Sequence, residues 1–231
     1  MFGTDLLSMT WRDLLFCHWA VDPGTIEGTL PDRLTVATHE GTAYLGIVPF
    51  VMEDISPRGS PIGLTFPELN LRTYVEGPAG PGVYFYNLDA DDAIGVSVAR
   101  RLFNLPYYRA SMTVDREGAE GDRAVRFRSR RTHDGVPSAR FDVTYRPSGE
   151  PFRPKPGSLP AFLVENYRFY AYGRRLYHGE IDHDPWTLRP ATVSIRENGL
   201  FAASGFDHPP GEPIVHYGES LPVTAGRLRR A

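Results

Sequence analysis

Residues 66 to 75, FPELNLRTYV, alternate two chemistries without a break. Glu68, Asn70, Arg72 and Tyr74 share one parity, and Leu69, Leu71, Thr73 and Val75 the other. On a β-strand these sets point to opposite faces. Alternation alone leaves the polar row two readings, a solvent face of an antiparallel sheet or the lining of a pocket. Similar patterns recur along the chain. RLTVATHEGTAYLGIVPFVMED predicts two strands joined through Glu40-Gly41, and a loop rich in Pro and Gly follows from Ile55 to Thr65. EGPAGPG then turns the chain into a second aromatic-rich strand, VYFYNLDA. Further strands are predicted at YYRASMTVDR, DRAVRFRSRRT, SARFDVTYRP, RFYAYG, RRLYHGEID, ATVSIREN and PIVHYG.

Helical spacing is rarer. Thr10 can cap a short helix over WRDLLFCHWA, and DPGTIEGTLPD reads as a turn with a short helical turn. DDAIGVSVARRLFN carries the clearest apolar stripe, Ile94, Val98 and Leu102, and ends before Pro106. AFLVENY predicts a helix beginning near Ser158. Many strands and few helices place the chain in a mainly β class (α+β), an antiparallel barrel or sandwich. No repeat is present, and the 231 residues are read as one domain with residues 1–10 as a loose extension.

Composition narrows the function classes. With 41% hydrophobic residues the chain can bury a substantial core. A net charge of −3 gives no general reason to expect nucleic acid as a partner. Cys17 is the only cysteine, so no internal disulfide forms, and the expected location is the cytoplasm. No apolar run approaches a bilayer span. Lys155 is the only lysine, and arginine cannot replace an amine nucleophile.

WRDLLFCHWAVD, GTAYLGIVPF, ELNLRTYV, GVYFYNLDAD, ARRLFNLPYYRA, HDPWTL and IVHY, in that order from Trp11 to Tyr217, together resemble the YqjF-like family. This is a group of uncharacterised proteins in the acetoacetate-decarboxylase-like superfamily. The resemblance implies an acetoacetate-decarboxylase-like β-barrel or cone with a deep internal cavity. It also implies where the chemistry has changed. Pro106 matches the proline that precedes the decarboxylase's lysine pair, but Tyr107 and Tyr108 stand where those lysines would be. A phenol forms no imine, so Schiff-base decarboxylation is not expected. Lys155, in a proline-flanked loop, is a poor substitute. Glu68 matches an acidic residue that the decarboxylase carries on a strand before its helix, and a cavity location is carried over with it.

The cavity brings the polar row inward as candidate chemistry. Glu68 and Tyr107 are the candidate catalytic groups, proton carrier and hydrogen-bond donor. Asn70, Arg72, Tyr74, Tyr84 and His18 are the candidate binding groups. Arg72 could clamp a carboxylate bidentately or form a static ion pair with Glu68. Adjacent tyrosines on a strand point opposite ways, so Tyr107 is expected inside and Tyr108 outside. His178, Glu180, Asp182 and His183 are permissible metal ligands without a recognised spacing, so neither metal nor cofactor is expected. His216 reads as a core or cavity histidine, and Arg126, Arg128 and Arg130 as a solvated strand face. The expectation is a protein that binds a small organic acid or carbonyl compound, as a non-Schiff-base lyase or isomerase or as a non-catalytic sensing domain. Its expected partner is that ligand, with no nucleic acid or membrane; self-association is left open.

Overall fold

The computed structural model describes residues 6–91, 105–119 and 122–231. The helix expected over DDAIGVSVARRLFN, residues 91–104, lies outside the described residues apart from Asp91. The chain opens with β1 (Leu7–Arg12) and β2 (Leu14–Val21), followed by α1 (Pro23–Glu27) and β3 (Thr35–Val36). Three long strands come next, β4 (Ala43–Pro57), β5 (Leu64–Gly77) and β6 (Gly80–Ala90). A meander of β7 (Tyr107–Glu117), β8 (Ala124–Arg131) and β9 (Arg140–Pro147) precedes α2 (Leu159–Val164), capped by Ser158. The remainder comprises β10 (Arg168–Tyr172), β11 (Leu176–His183), β12 (Leu188–Asn198), α3 (Leu200–Ala203), β13 (Ile214–Gly218), β14 (Leu221–Ala225) and β15 (Arg229–Arg230).

The pairing is ring-like, and the long strands explain how. One edge of β4 is shared by β2, along Ala43 to Ile47, and by β1, along Val51 to Pro57. One edge of β6 is likewise shared, by β10 at Val83–Tyr84 and by β7 at Leu88–Ala90, both in parallel. β5 lies antiparallel between β4 and β6. Two closed courses result. One runs β4-β1-β14-β11-β10-β6-β5, and the other runs β6-β7-β8-β9-β12-β13-β2-β4-β5. β4, β5 and β6 belong to both.

This partition overturns the helix expected over WRDLLFCHWA. The segment is β1 and β2, end to end along β4 and bent at Asp13, whose φ is 54°. Leu14, Phe16 and His18 face one interior, whereas Leu15, Cys17 and Trp19 face the other. A strand buried on both faces reads as an unbroken apolar run, from which helical spacing can be picked by chance. Leu7 to Thr10, expected in a loose extension, belong to β1 and pair with both β14 and β4. The Glu40-Gly41 turn forms, closed by a bridge between His39 and Thr42, but β3 pairs with β5 rather than β4. Among the described residues, no helix is long and apolar enough to cross a membrane.

Candidate functional site

β5 carries the polar row into the first interior. Glu68, Asn70, Arg72 and Tyr74 are all buried, at 2%, 4%, 8% and 1% exposure. The opposite parity, Leu69 and Leu71, packs in the second core. The row is therefore not a solvent face. Beside it the described residues line a partly open cavity of about 300 Å³, and Glu68, Arg72 and Tyr107 are in its wall.

Strand register brings the acid and the phenol together. Glu68 stands opposite Ala90 and Asn70 opposite Leu88, while Leu88 pairs on its other edge with Tyr107. The Tyr107 hydroxyl donates to Glu68 Oε2 at 2.8 Å. Burial pushes the Glu68 carboxyl up to about 7, while hydrogen bonds from Tyr107 and Asn70 pull it down. Burial, then the adjacent Glu68, hold the Tyr107 phenol well above its ordinary range. A carboxyl raised toward neutrality can either give or take a proton. Tyr108 points the other way, edge-on to His133 and under the Arg131 guanidinium.

Arg72 sits four residues from Glu68 and forms no ion pair with it. Its Nη2 donates to the Leu163 carbonyl at 3.0 Å, and its guanidinium lies 5.6 Å from the centre of the Phe16 ring. The Leu163 carbonyl, at the end of α2, also accepts from the Tyr74 hydroxyl at 2.7 Å. A helix end leaves carbonyls without intrahelical partners, and here two side chains supply them. Arg72 Nε is buried with no hydrogen-bond partner, and no carboxylate among the described residues pairs with this side chain. A buried cation without a counter-charge is costly.

His18 and Tyr74 are hydrogen-bonded to each other beside this group, while His18 Nδ1 is buried without a hydrogen-bond partner among the described residues. Because the Tyr74 hydroxyl donates to Leu163, it must accept from His18 Nε2, at 2.7 Å. Burial, then the charge of Arg72, lower the His18 pKa well below its usual value and keep the ring neutral. Neither residue is in the cavity wall. They support Arg72 from behind.

Tyr84 is a correction. It lies half-buried on the outer side of β6, packed with the cluster of Leu34, Val75, Tyr170 and Leu176 and edge-on to Tyr86. The cause is a bulge: Leu71 pairs with Asn87 but Arg72 with Phe85, so Tyr86 is an extra residue. Parity switches there, with Leu88 and Ala90 inward beyond the bulge and Val83 and Phe85 inward before it.

The remaining expectations resolve simply. His178, Glu180 and Asp182 share the outer face of β11, where Glu180 meets Arg168 at 3.1 Å and Arg229 at 4.0 Å. Among the described residues no group of three or more His, Cys, Asp or Glu could hold a metal. Lys155 is exposed and is not in the cavity wall. Arg126 pairs with Asp142 at 2.9 Å and Arg128 with Asp115 at 2.7 Å, an ordinary solvated face. His216 is half-buried, edge-on to Phe152, with its pKa lowered by burial.

Sequence reasoning missed most of the wall. Trp11 and Phe16 were hidden in the supposed helix. Trp186 stands in the cavity wall edge-on to Phe16, with ring centres 5.1 Å apart. His183 lines the same wall, stacked on Tyr167 at 4.5 Å. Its Nδ1 donates to the Asp184 carbonyl at 2.8 Å, which leaves Nε2 as the acceptor in the neutral ring. A second, polar pocket of about 390 Å³ shares Asn166, Arg168 and Ile181 with the cavity.

The fold has solved counterparts. The chain is similar to MppR, an enduracididine biosynthesis enzyme solved with pyruvate, at a TM-score of 0.69 and 15% identity, covering 100% of this chain and 91% of that one. It is similar to an acetoacetate decarboxylase-like enzyme of Sphingomonas wittichii RW1, at 0.65 and 14% identity, covering 99% and 94%. An acetoacetate decarboxylase of Legionella pneumophila gives 0.65 and 11% identity, covering 100% and 90%. The fold is that of the acetoacetate decarboxylase-like enzymes. The chain belongs to the DUF2071 family of uncharacterized conserved proteins, whose model matches residues 8–222. It is 37% identical to the uncharacterized protein YqjF of Bacillus subtilis (strain 168), over 99% of this chain and 93% of that protein.

Proposed function

We propose that the cavity binds a small organic acid bearing a carbonyl group and that the protein moves a proton on it without a lysine imine. The observation that carries this reading is the buried Glu68–Tyr107 hydrogen bond in the wall of a cavity that also holds the Arg72 guanidinium, which meets no carboxylate among the described residues. Arg72 takes the carboxylate. Tyr107 turns from Glu68 to the ligand's carbonyl oxygen, and Glu68 removes the proton from the carbon beside that carbonyl. Negative charge then develops on the oxygen facing the phenol, as enolisation requires. Support from the fold is by analogy only: MppR was solved with pyruvate, a 2-oxo acid.

The test is exchange of the carbon-bound protons of 4-methyl-2-oxopentanoate in heavy water, followed by NMR. Wild type should accelerate exchange, Glu68→Gln should abolish the acceleration, and Arg72→Gln should raise the half-saturating concentration at least tenfold. Undiminished exchange in Glu68→Gln removes the proton-carrier role, and unchanged affinity in Arg72→Gln removes the anion anchor. Saturable binding without exchange leaves a non-catalytic sensing pocket. Borohydride treatment with the same acid should leave no adduct, since Lys155 is the only lysine and is not in the wall. A mass increment on Lys155 would restore the imine route.

A further inference from the structure

The polar groups just described occupy a small part of the wall. Trp11, Phe16, Phe66, Phe85, Phe169 and Trp186 make up much of the rest, with the thioethers of Met9 and Met52 between them. Phe16 and Trp186 meet edge-on at 5.1 Å, Trp11 lies stacked on Trp186 at 6.3 Å, and Phe85 leans on Phe169 at 6.3 Å. These are fixed ring surfaces on paired strands and adjoining turns, and the thioethers are adaptable fillers between them.

Size sharpens the point. About 300 Å³ stands at the lower bound for cavities that enclose drug-sized ligands, roughly 300–1,000 Å³. A three-carbon acid spanning Arg72 and Tyr107 would leave most of the rings with no atoms against them. Ring surface facing a gap forfeits its dispersion contacts, and any water held there finds few polar partners. An apolar body on the ligand recovers both losses.

Resting on the organic-acid reading above, we infer that the ligand is an oxo acid with a sizeable apolar body, branched, long-chain or aryl, and not a three- or four-carbon metabolite. The carboxylate and carbonyl sit at Arg72 and Tyr107, and the hydrocarbon part lies against the ring wall. Burial of each further methylene then strengthens binding about fourfold until the cavity is full.

Titration calorimetry with pyruvate and its straight-chain homologues up to 2-oxooctanoate, together with 4-phenyl-2-oxobutanoate, tests this directly. Affinity should climb about fourfold per methylene and then level off, and the phenyl compound should exceed pyruvate at least a hundredfold. Ala225→Leu, which fills part of the void, should move the optimum to a shorter chain. Met52→Ala, which enlarges it, should move the optimum to a longer one. Affinity that is flat or falls with chain length overturns the inference while leaving the organic-acid reading intact. Optima that ignore both variants place the apolar body elsewhere and overturn it too. Failure of every homologue to bind overturns the organic-acid reading itself, and this inference with it.

Discussion

Glu68 shows how one residue couples folding to chemistry. Its carboxyl stands at about 7 against an ordinary 4.5, because burial disfavours the charge more than Tyr107 and Asn70 favour it. Between those values the folded chain holds a proton that the unfolded chain has released, so this group's contribution to stability falls as pH rises through the interval. Glu68→Gln mimics the protonated form and removes the slope. Urea unfolding should show the variant close to wild type near about pH 5, and more stable on the order of 2–3 kcal/mol near about pH 8. Parallel stability curves would refute the buried, raised carboxyl. Asp89, pushed up to about 6 by burial against the pull of Arg131, slopes in the same direction but is common to both proteins. Tyr107→Phe deletes the donor that favours the carboxylate, so the midpoint of the exchange–pH profile should move upward, at a stability cost of about 1–2 kcal/mol. An unmoved midpoint with a purely thermal defect would make the hydrogen bond structural.

At the scale of elements, β2, β4 and β5 depend on fitting two interiors at once. Gly46 on β4 stands between His18 and Arg72 in the register. A Cβ there would lie 2.7 Å from His18 Cδ2 and 3.6 Å from Arg72 Cγ. The His18 ring is fully buried and held by Tyr74, so it has nowhere to move. Gly46→Ala should therefore cost about 1–3 kcal/mol in urea unfolding and should weaken acid binding through Arg72. A neutral substitution would mean that β4 can shift away from β2. The bend at Asp13 is the other elemental device. Its carboxylate accepts from Arg116 at 2.6 Å and from the Tyr217 hydroxyl at 3.1 Å, which steadies a left-handed residue between two strands. Nothing in WRDLLFCHWA marks that bend, because its partners lie 103 and 204 residues away.

For the whole molecule, the shared strands predict a single unfolding transition. Trp19 reports on the second core, and Trp11 and Trp186 on the first. Because β4 and β5 wall both, neither core can open without exposing the other's apolar face. In Trp19→Phe, and separately in the double variant Trp11→Phe with Trp186→Phe, fluorescence and far-UV circular dichroism should give coincident midpoints. Separated midpoints in either protein would show that the two courses unfold independently.

The local pattern was enough to place most strands, the Ser158 cap and the opposite faces of Tyr107 and Tyr108, while the inward direction of Glu68, Arg72 and Tyr107 came from the family resemblance. Strand alternation and turn chemistry are short-range properties, visible within a few residues. Tertiary structure decided what those faces meet. It made β2 a strand because both its sides are covered. It turned Tyr84 outward through a bulge set by pairing with β5, and it left His18 and Tyr74 bonded to each other behind the site. It also gathered the rings of Trp11, Phe16, Phe169 and Trp186 around one void. Those outcomes depend on contacts between residues far apart in the chain, and a single sequence records such contacts only through the fold that makes them.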